Sequence, residues 1–306
     1  MASISTKVGN FSMENPVILA SGILDETSGS LLRSLQSGAG AVVTKSIGIS
    51  ERAGYPTPVI SEIKTGLLNA VGLANPGIDN FIEEYRNFSE KKRTVVSIFG
   101  GSVEEFVNLS KKVEVAGFDK VELNLSCPHV QGVGSEVGQD VDLVEEIINE
   151  IKSKTNLQIW SKLTPNVTDI VALAKASEKA DALVLINTLR AIGVEIYSRK
   201  YSLSNVVGGY SGPGIKPVAL RAVYDVYKET RKDIVGVGGI TTWEDAIEFF
   251  LLGARAIQVG TAFLYDDYRI YSDIKKGISN YLDSEGYSKL DDIVGVMVKN
   301  AARKSN

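Results

Sequence analysis

Eight short runs of apolar and β-branched residues recur along the chain, and most of them are followed by an amphipathic helical pattern. The runs are Val17–Ala20, Ala41–Lys45, Thr94–Phe99, Lys120–Leu125, Gln158–Leu163, Ala182–Asn187, Ile234–Val237 and Ala256–Val259. Nearly all are apolar throughout, which is typical of parallel strands that are covered on both faces. Strands that alternate with helices predict βα units, and eight units in 306 residues favour a closed (β/α)8 TIM barrel over an open doubly wound sheet.

Capping residues mark where two of the helices should begin and end. Thr168 is the predicted N-cap of a helix over Asp169–Lys179. Thr242 with Asp245 predicts a capping box, and Gly253 predicts the end of the helix that this box opens.

Three segments lie outside the barrel pattern. Ile4–Met13 predicts an N-terminal hairpin that turns at Gly9-Asn10 and plugs the bottom of the barrel. The two longest connections, Gly48–Asn80 and Leu189–Pro217, each join a strand to its helix, and in a barrel such loops lie on the top face, where substrates bind. Because no linker and no repeat of fixed period interrupts the chain, we expect a single domain over residues 1–306.

Composition excludes several classes of function. Hydrophobic residues make up 44% of the chain and charged residues 23%, and a net charge of −4 without a long basic run argues against binding to nucleic acid or to an anionic membrane. The N-terminus lacks the pattern of a signal peptide, and no apolar run reaches the ~18–20 residues of a membrane span, so we expect a cytoplasmic protein. A single cysteine excludes an intrachain disulfide and a cysteine-ligated iron–sulfur cluster within the chain, and a single histidine argues against a His-rich metal site.

Polar or glycine residues stand at the ends of seven of the eight runs, which in a barrel share one rim. The pairs Gly238-Gly239 and Gly260-Thr261 lack bulk and leave room for backbone N–H groups to approach an anion, where many barrels hold a phosphate. We therefore favour a phosphorylated cofactor or substrate over a pair of tight turns. Lys45 and Lys162 end two other runs. One of them would suit a Schiff-base nucleophile, and the two together would suit a negative charge on a cofactor ring.

The only cysteine and the only histidine lie in Leu123–His129, at the end of the fourth run. Pro128 stops the strand pattern because it has no N–H to donate, which places Cys127 just past a strand end, where catalytic groups are commonly mounted. The following Val130–Gly138 contains three glycines, as suits a mobile cover over a site. The alternative is a structural thiol in a turn. Asn69–Gly77, in the first long connection, offers amides suited to a flat polar heterocycle.

The chain resembles class 1 dihydroorotate dehydrogenases over nearly its whole length. The most specific motifs are Asn69–Gly77, Asn124–Pro128, Lys162–Ile170, Ile186–Leu189 and Gly208–Leu220. The last three of these resemble subtype B in particular. The resemblance implies an FMN-containing (β/α)8 barrel, a homodimeric catalytic subunit, and the oxidation of dihydroorotate to orotate in de novo pyrimidine biosynthesis.

The resemblance also implies roles for individual residues. Cys127 would remove a proton from C5 of dihydroorotate while a hydride leaves C6 for the flavin N5. Lys45 matches a lysine that touches both substrate and flavin, and Lys162 matches one beside the pyrimidine edge of the flavin. The substrate-binding positions are Lys45, Asn69, Val71, Gly72, Leu73, Asn124, Asn187 and Thr188. The FMN-binding positions are Ser21, Lys45, Ser46, Ser97, Asn124, Lys162, Ile186, Gly212, Gly238, Gly239, Gly260 and Thr261.

Two residues depart from the family pattern, and three alternatives stay open. His129 replaces an asparagine that helps to bind substrate, and Ser97 replaces an asparagine that subtype B often has near the flavin. Ser126–His129 and Gly138–Asp140 are similar to the pyrimidine-reducing domain of dihydropyrimidine dehydrogenases, so the first alternative is the reduction of uracil or thymine. The second is a phosphate-binding barrel lyase or aldolase with one of the two lysines as a Schiff base. The third is a non-catalytic barrel that acts as a scaffold for a partner.

The resemblance bears on the electron acceptor as well. Subtype B passes electrons to NAD through a second subunit that holds FAD and an iron–sulfur cluster, in a heterotetramer, and one cysteine cannot build that cluster. The resemblance therefore implies a partner protein. The membrane-bound class 2 enzymes have an N-terminal extension and a serine base, whereas here the barrel begins near Asn15 and the base is Cys127, so quinone use is not expected. Fumarate, the acceptor of subtype A, stays open.

Overall fold

Eight parallel strands close into a barrel in the computed structural model, which describes residues 1–125 and 137–304, with side chains to residue 300. In chain order the strands are β1 (Thr6–Val8), β2 (Phe11–Met13), β3 (Val17–Leu19), β4 (Ala41–Val43), β5 (Ile60–Ile63), β6 (Gly66–Asn69), β7 (Thr94–Ile98), β8 (Lys120–Asn124), β9 (Gln158–Leu163), β10 (Ala182–Leu185), β11 (Leu189–Ile192), β12 (Val194–Glu195), β13 (Lys200–Tyr201), β14 (Val207–Ser211), β15 (Ile234–Val237) and β16 (Ala254–Val259). The barrel runs in the order β10-β15-β16-β3-β4-β7-β8-β9 and closes on itself. Each predicted run ends within two residues of one of these strands, so the predicted (β/α)8 barrel is confirmed.

Helices surround the barrel, and the longer ones bury an apolar face. They are α1 (Ser28–Gln36), α2 (Ile78–Glu84), α3 (Val103–Val115), α4 (Val141–Lys154), α5 (Ile170–Ala176), α6 (Lys216–Thr230), α7 (Trp243–Leu252), α8 (Phe263–Asp266), α9 (Arg269–Ser284) and α10 (Val296–Lys304), with short 3-10 turns at Lys91–Arg93, Val137–Gln139, Pro213–Ile215 and Leu290–Asp292. In α4, Val144, Ile147, Ile148 and Ile151 follow the spacing of one helix face and are all buried. Across the described residues, no helix combines the length and the apolar character needed to cross a bilayer.

The predicted helix caps are confirmed at α7 and wrong by one residue at α5. Thr242 and Asp245 form the predicted capping box, and Gly253 ends α7 with a φ of 121°, a conformation that favours glycine. At α5 the N-cap is Asp169 and not Thr168, and the helix covers Ile170–Ala176. The Asp169 carboxylate accepts hydrogen bonds from two backbone N–H groups, at 2.9 and 3.1 Å, and so satisfies more of the free donors of the first turn.

Asp245 also joins α6 to α7, and its charge should contribute to stability. It accepts hydrogen bonds from the Thr241 and Thr242 backbone and from Lys216 Nζ at 2.6 Å. Burial alone would raise the pKa of Asp245, but these partners outweigh burial and hold it below its usual value. We expect Asp245→Asn to lower the free energy of unfolding by about 1–2 kcal/mol at pH 7, measured by urea denaturation.

The pH dependence of the free energy of unfolding distinguishes the contribution of the Asp245 charge from that of the side chain's shape. Because the folded-state pKa is lowered, the stabilisation is complete above the unfolded-state value of ~3.9 and is lost as the pH falls through the folded-state value. Wild type and Asp245→Asn should therefore converge in acid. The control is Asp225→Asn, which breaks an exposed ion pair with Arg221 and should cost about 0.5 kcal/mol or less. If Asp245→Asn were still less stable than wild type by the same amount in acid, the prediction would be contradicted.

The N-terminal hairpin closes the bottom of the barrel, as predicted. β1 and β2 pair in antiparallel fashion around a turn in which Gly9 has a φ of 58°. Val8, Phe11 and Met13 are buried in one apolar cluster with the interior residues of the barrel strands, among them Trp160. The lower part of the bore is therefore filled with side chains, which leaves the upper end for a ligand.

The two long connections contain strands that the sequence pattern did not predict. β11, β14, β6 and β5 form a four-stranded sheet in that order, and β12 pairs with β13. These strands are half-exposed and β14 begins Val207-Gly208-Gly209, so they lack the continuous apolar pattern of the barrel strands. Their residues border the barrel opening, as the prediction of top-face insertions required.

Candidate active site

A cavity of about 970 Å³ lies over the carboxyl ends of the barrel strands. This volume is at the upper end for small-molecule sites and suits a cofactor together with a small substrate. Nearly all of the predicted site residues lie on its wall: Ser21, Lys45, Ser46, Asn69, Val71, Gly72, Leu73, Asn124, Lys162, Ile186, Asn187, Thr188, Gly212, Gly238, Gly239, Gly260 and Thr261. The barrel thus brings together residues that are more than 200 positions apart in the sequence.

Hydrogen bonds link the polar residues of four strand ends across the rim. The Ser46 hydroxyl shares a hydrogen bond with the Ser97 hydroxyl at 2.8 Å and accepts one from Asn124 Nδ2 at 3.1 Å. Asn124 Oδ1 accepts from Asn187 Nδ2 at 3.3 Å, and Asn187 Oδ1 accepts from the Thr188 N–H at 2.8 Å. Both amides are therefore held in one orientation, with their planes fixed before any ligand arrives.

Two predicted residues are not on the described wall. Ser97 is fully buried and contacts Ser46 from behind, so it supports a residue of the wall instead of forming part of it. Cys127, like His129, lies outside the described residues. Before these positions, Asn124 lines the cavity, and the carbonyl of the next residue, Leu125, accepts the Gly138 N–H at 2.7 Å.

Asp25 holds the loop that carries Lys45. Its carboxylate accepts the Gly22 N–H at 2.5 Å, and its carbonyl accepts the Lys45 N–H at 3.2 Å. Burial raises the pKa of Asp25, against the opposing effects of the Gly22 N–H and the Lys45 charge. Lys45 Nζ lies 3.9 Å from the exposed Glu26 carboxylate, so its ammonium group sits on the cavity wall with only a loose ion pair.

The first long connection supplies the wall opposite the barrel strands. Asn69, at the end of β6, donates from Nδ2 to the Gly209 carbonyl on β14 at 3.2 Å. Gly72 and Leu73 follow with φ values of 75° and 58°, and the Val71 carbonyl accepts the Tyr55 N–H at 3.0 Å. Residues 71–73 line the cavity, as expected for a segment that contacts a planar ligand.

Glycines form a cradle where β15, β16 and β3 end side by side. A methyl group added at Gly22 would meet no atom within 4 Å, and one added at Gly260 would meet only the Ala20 Cβ, at 3.5 Å. Both glycines line the cavity, so the space beside them belongs to the cavity and not to protein packing. Gly238 and Gly239 have φ values of 128° and 77°. This set is suited to the close approach of a phosphate to backbone N–H groups.

Sequence reasoning missed several residues of the wall. Glu122 and Gln258 lie beside Lys162, with the Glu122 carboxylate 3.1 Å from Lys162 Nζ. Asn166 ties the top-face segments together by accepting the Arg190 N–H at 2.9 Å. For Glu122 the available signal was the strand alternation of Lys120, Glu122 and Asn124, which places polar side chains on one face of a strand whose other face is apolar.

Comparison with known proteins gives one consistent result. The family model described as dihydroorotate dehydrogenase matches residues 3–282. Among similar curated proteins, the dihydroorotate dehydrogenase B (NAD(+)) catalytic subunit of Thermoplasma volcanium is 53% identical over 300 residues, which cover 98% of this chain and 100% of that protein. The proteins of the same name from Pyrococcus furiosus and Methanothermobacter thermautotrophicus are 49% and 43% identical, over 97% and 96% of this chain and 99% and 98% of their own lengths.

Proposed function

The chain belongs to the dihydroorotate dehydrogenase family, and on that premise we propose that it oxidises dihydroorotate to orotate in de novo pyrimidine biosynthesis, with FMN as its cofactor. The observation that carries the proposal is the division of one cavity between two kinds of wall. A glycine cradle lies at the ends of β15, β16 and β3, and fixed amides lie at the ends of β8 and β10.

The described residues fit FMN. The cradle of Gly22, Gly238, Gly239 and Gly260 would hold its phosphate, and Thr261, whose hydroxyl donates to Ser211 Oγ at 2.9 Å, borders the same place. Lys162 would lie beside the ring system, where an ammonium group favours negative charge. When bound, FMN supplies the two-electron acceptor for the hydrogen that leaves C6 of the substrate.

The amide side chains would hold the pyrimidine ring. Dihydroorotate presents imide N–H and C=O groups and a carboxylate, and asparagine provides both donors and acceptors for the former. Asn69, Asn124 and Asn187 line the cavity together with Thr188, and Lys45 brings a cation for the carboxylate. The hydrogen bonds between Asn124, Asn187 and Thr188 would spare the ligand the cost of ordering these side chains.

We assign the base to Cys127, which follows the strand end of β8 by three positions. As a thiolate it would take the proton from C5 of dihydroorotate. Lys45, Asn69, Asn124 and Asn187 would orient the ring so that C5 faces the sulfur.

The alternatives receive less support. Among the described residues, Lys45 and Arg190 line the cavity in addition to the Lys162–Glu122 ion pair, and these two cations suit an anionic substrate better than neutral uracil or thymine. Membership of a dehydrogenase family argues against a Schiff-base lyase and against a non-catalytic scaffold.

We also propose a cytoplasmic homodimer that works with a second subunit carrying FAD and an iron–sulfur cluster, in a heterotetramer. The similar proteins are named as catalytic subunits of NAD(+) enzymes, which implies a further subunit in those proteins. The single cysteine of this chain leaves the cluster to a partner.

The test is the absorbance spectrum of the purified protein before and after dihydroorotate is added under anaerobic conditions. We expect a yellow protein whose flavin absorbance is bleached by stoichiometric dihydroorotate and not by dihydrouracil, because only the former carries a carboxylate for Lys45. Addition of NAD to the bleached chain alone should restore little colour, since electron transfer to NAD is assigned to the partner.

Other outcomes would separate the hypotheses. A colourless protein would contradict the proposal and favour the lyase. Bleaching by dihydrouracil instead of dihydroorotate would favour the pyrimidine-reducing alternative. Rapid return of colour with NAD alone would contradict the requirement for a partner, and return with fumarate would indicate the subtype A acceptor.

A further inference from the structure

Three buried polar side chains form a closed ring inside the top of the barrel. Lys162 Nζ donates to Glu122 Oε1 at 3.1 Å and to Gln258 Oε1 at 3.4 Å, and Gln258 Nε2 donates to Glu122 Oε2 at 2.6 Å. The residues are 6%, 0% and 1% exposed for Lys162, Glu122 and Gln258, and all three line the cavity. Each belongs to a different strand, and β16 is three strands away from β9 around the barrel, so the ring spans the bore.

The ring limits how the Lys162 ammonium group can contact a ligand. Each partner is fixed by the other two, because Gln258 must direct its oxygen at the ammonium group and its NH2 at the carboxylate. The ammonium group has three donors, two of which are used within the ring. Because Lys162 lines the cavity, its third donor is left for a ligand.

Packing alone does not account for these residues. Trp160, two positions before Lys162 on the same strand, belongs to the apolar cluster that fills the lower bore. Apolar side chains would serve equally well for closing the barrel, and a buried charge is costly unless it is paired with good geometry. The polar ring thus lies in the part of the bore that lines the cavity.

We propose that Glu122 and Gln258 are positioning residues for Lys162, and that the negative charge of Glu122 holds down the reduction potential of the bound flavin by offsetting the positive charge of the lysine at the ring system. The inference rests on the proposed function, since it requires a flavin beside Lys162. An ammonium group beside the ring system favours the reduced, more negative form, and a carboxylate 3.1 Å from that ammonium opposes the effect. The potential is then set by the pair.

The test is the midpoint potential of the bound flavin, measured by dye titration without substrate. Glu122→Gln keeps the shape of the side chain and removes its charge. We expect at least a tenfold larger equilibrium constant for reduction, a rise of about 30 mV for two electrons. Glu122→Asp restores the charge and should bring the potential back towards wild type. Glu145→Gln, the same change at an exposed position of α4, should leave it at the wild-type value.

A second pair of variants covers the case in which Glu122→Gln fails to fold. Lys162→Gln should lower the potential, and adding Glu122→Gln to it should raise the potential again, because a buried negative charge is removed in both backgrounds. A potential that is unchanged or lower in Glu122→Gln, or unaffected by the second substitution in the Lys162→Gln background, would overturn the inference. Wild-type flavin that dihydroorotate fails to bleach would overturn the proposed function alone, and a protein without flavin would overturn both.

Discussion

Cys127→Ala should lower the turnover of dihydroorotate by about 10²- to 10⁴-fold, the range that a positioned general base contributes. The bound FMN and the melting temperature should stay at wild-type values, because all of the residues assigned to FMN except Asn124 lie on other strand ends. Turnover with a dye acceptor, flavin content and thermal unfolding would be measured on the same preparation. The control is Ser126→Ala, a change of similar size at the preceding position.

The pH dependence of the rate gives an independent check on the thiolate. A free thiol titrates near ~8.5, so most of it is protonated at neutral pH and inactive as a base. We expect wild-type kcat to rise with pH through this range and to level off above it. Cys127→Ala should lose that rise. A flat wild-type profile from neutral to alkaline pH, or loss of FMN with full turnover per remaining flavin in Cys127→Ala, would contradict the assignment and indicate a structural thiol.

The barrel could be predicted from sequence because its strands are buried on both faces. A run such as Ala182–Leu185 is apolar at every position, and such runs stand out against the helices between them. The strands β5, β6 and β11 to β14 were missed for the opposite reason. They are short and partly exposed, and backbone pairing around glycines specifies them more than a side-chain pattern does.

The sequence allowed the polar residue at each strand end to be predicted separately, but it did not predict the contacts between them across the barrel. Lys45, Asn124 and Asn187 each stand at the end of a predicted strand, and the barrel geometry alone collects them at one rim. The ring of Glu122 and Gln258 joins residues 136 positions apart, and sequence spacing gives no measure of that approach. Ser97 shows the converse, since a position at a strand end proved to lie behind Ser46. The single domain and the roles of the site residues stay predictions.

The glycine cradle allows a variant that should exclude the cofactor without disturbing the fold. Gly260 has no strained backbone angle, and an added Cβ would meet only Ala20 at an ordinary contact distance of 3.5 Å. A valine there should fill the space assigned to the phosphate. Overpacking of this kind costs about 1–3 kcal/mol, so we expect Gly260→Val to weaken FMN binding by about 10- to 100-fold.

Binding of FMN to the apoprotein would be measured by quenching of flavin fluorescence, beside urea unfolding of the apoprotein. The free energy of unfolding of the Gly260→Val apoprotein should stay within about 0.5 kcal/mol of wild type, as for a surface change. Gly29→Ala is the matched control, since its Cβ has equal room on the surface helix α1 and lies far from the cavity wall. Gly239→Ala should behave differently from both. Its φ of 77° and the Lys216 backbone nitrogen only 2.8 Å from the added Cβ should cost stability as well as affinity. Full FMN affinity in Gly260→Val would contradict the prediction, because the phosphate would then have to bind away from the end of β16.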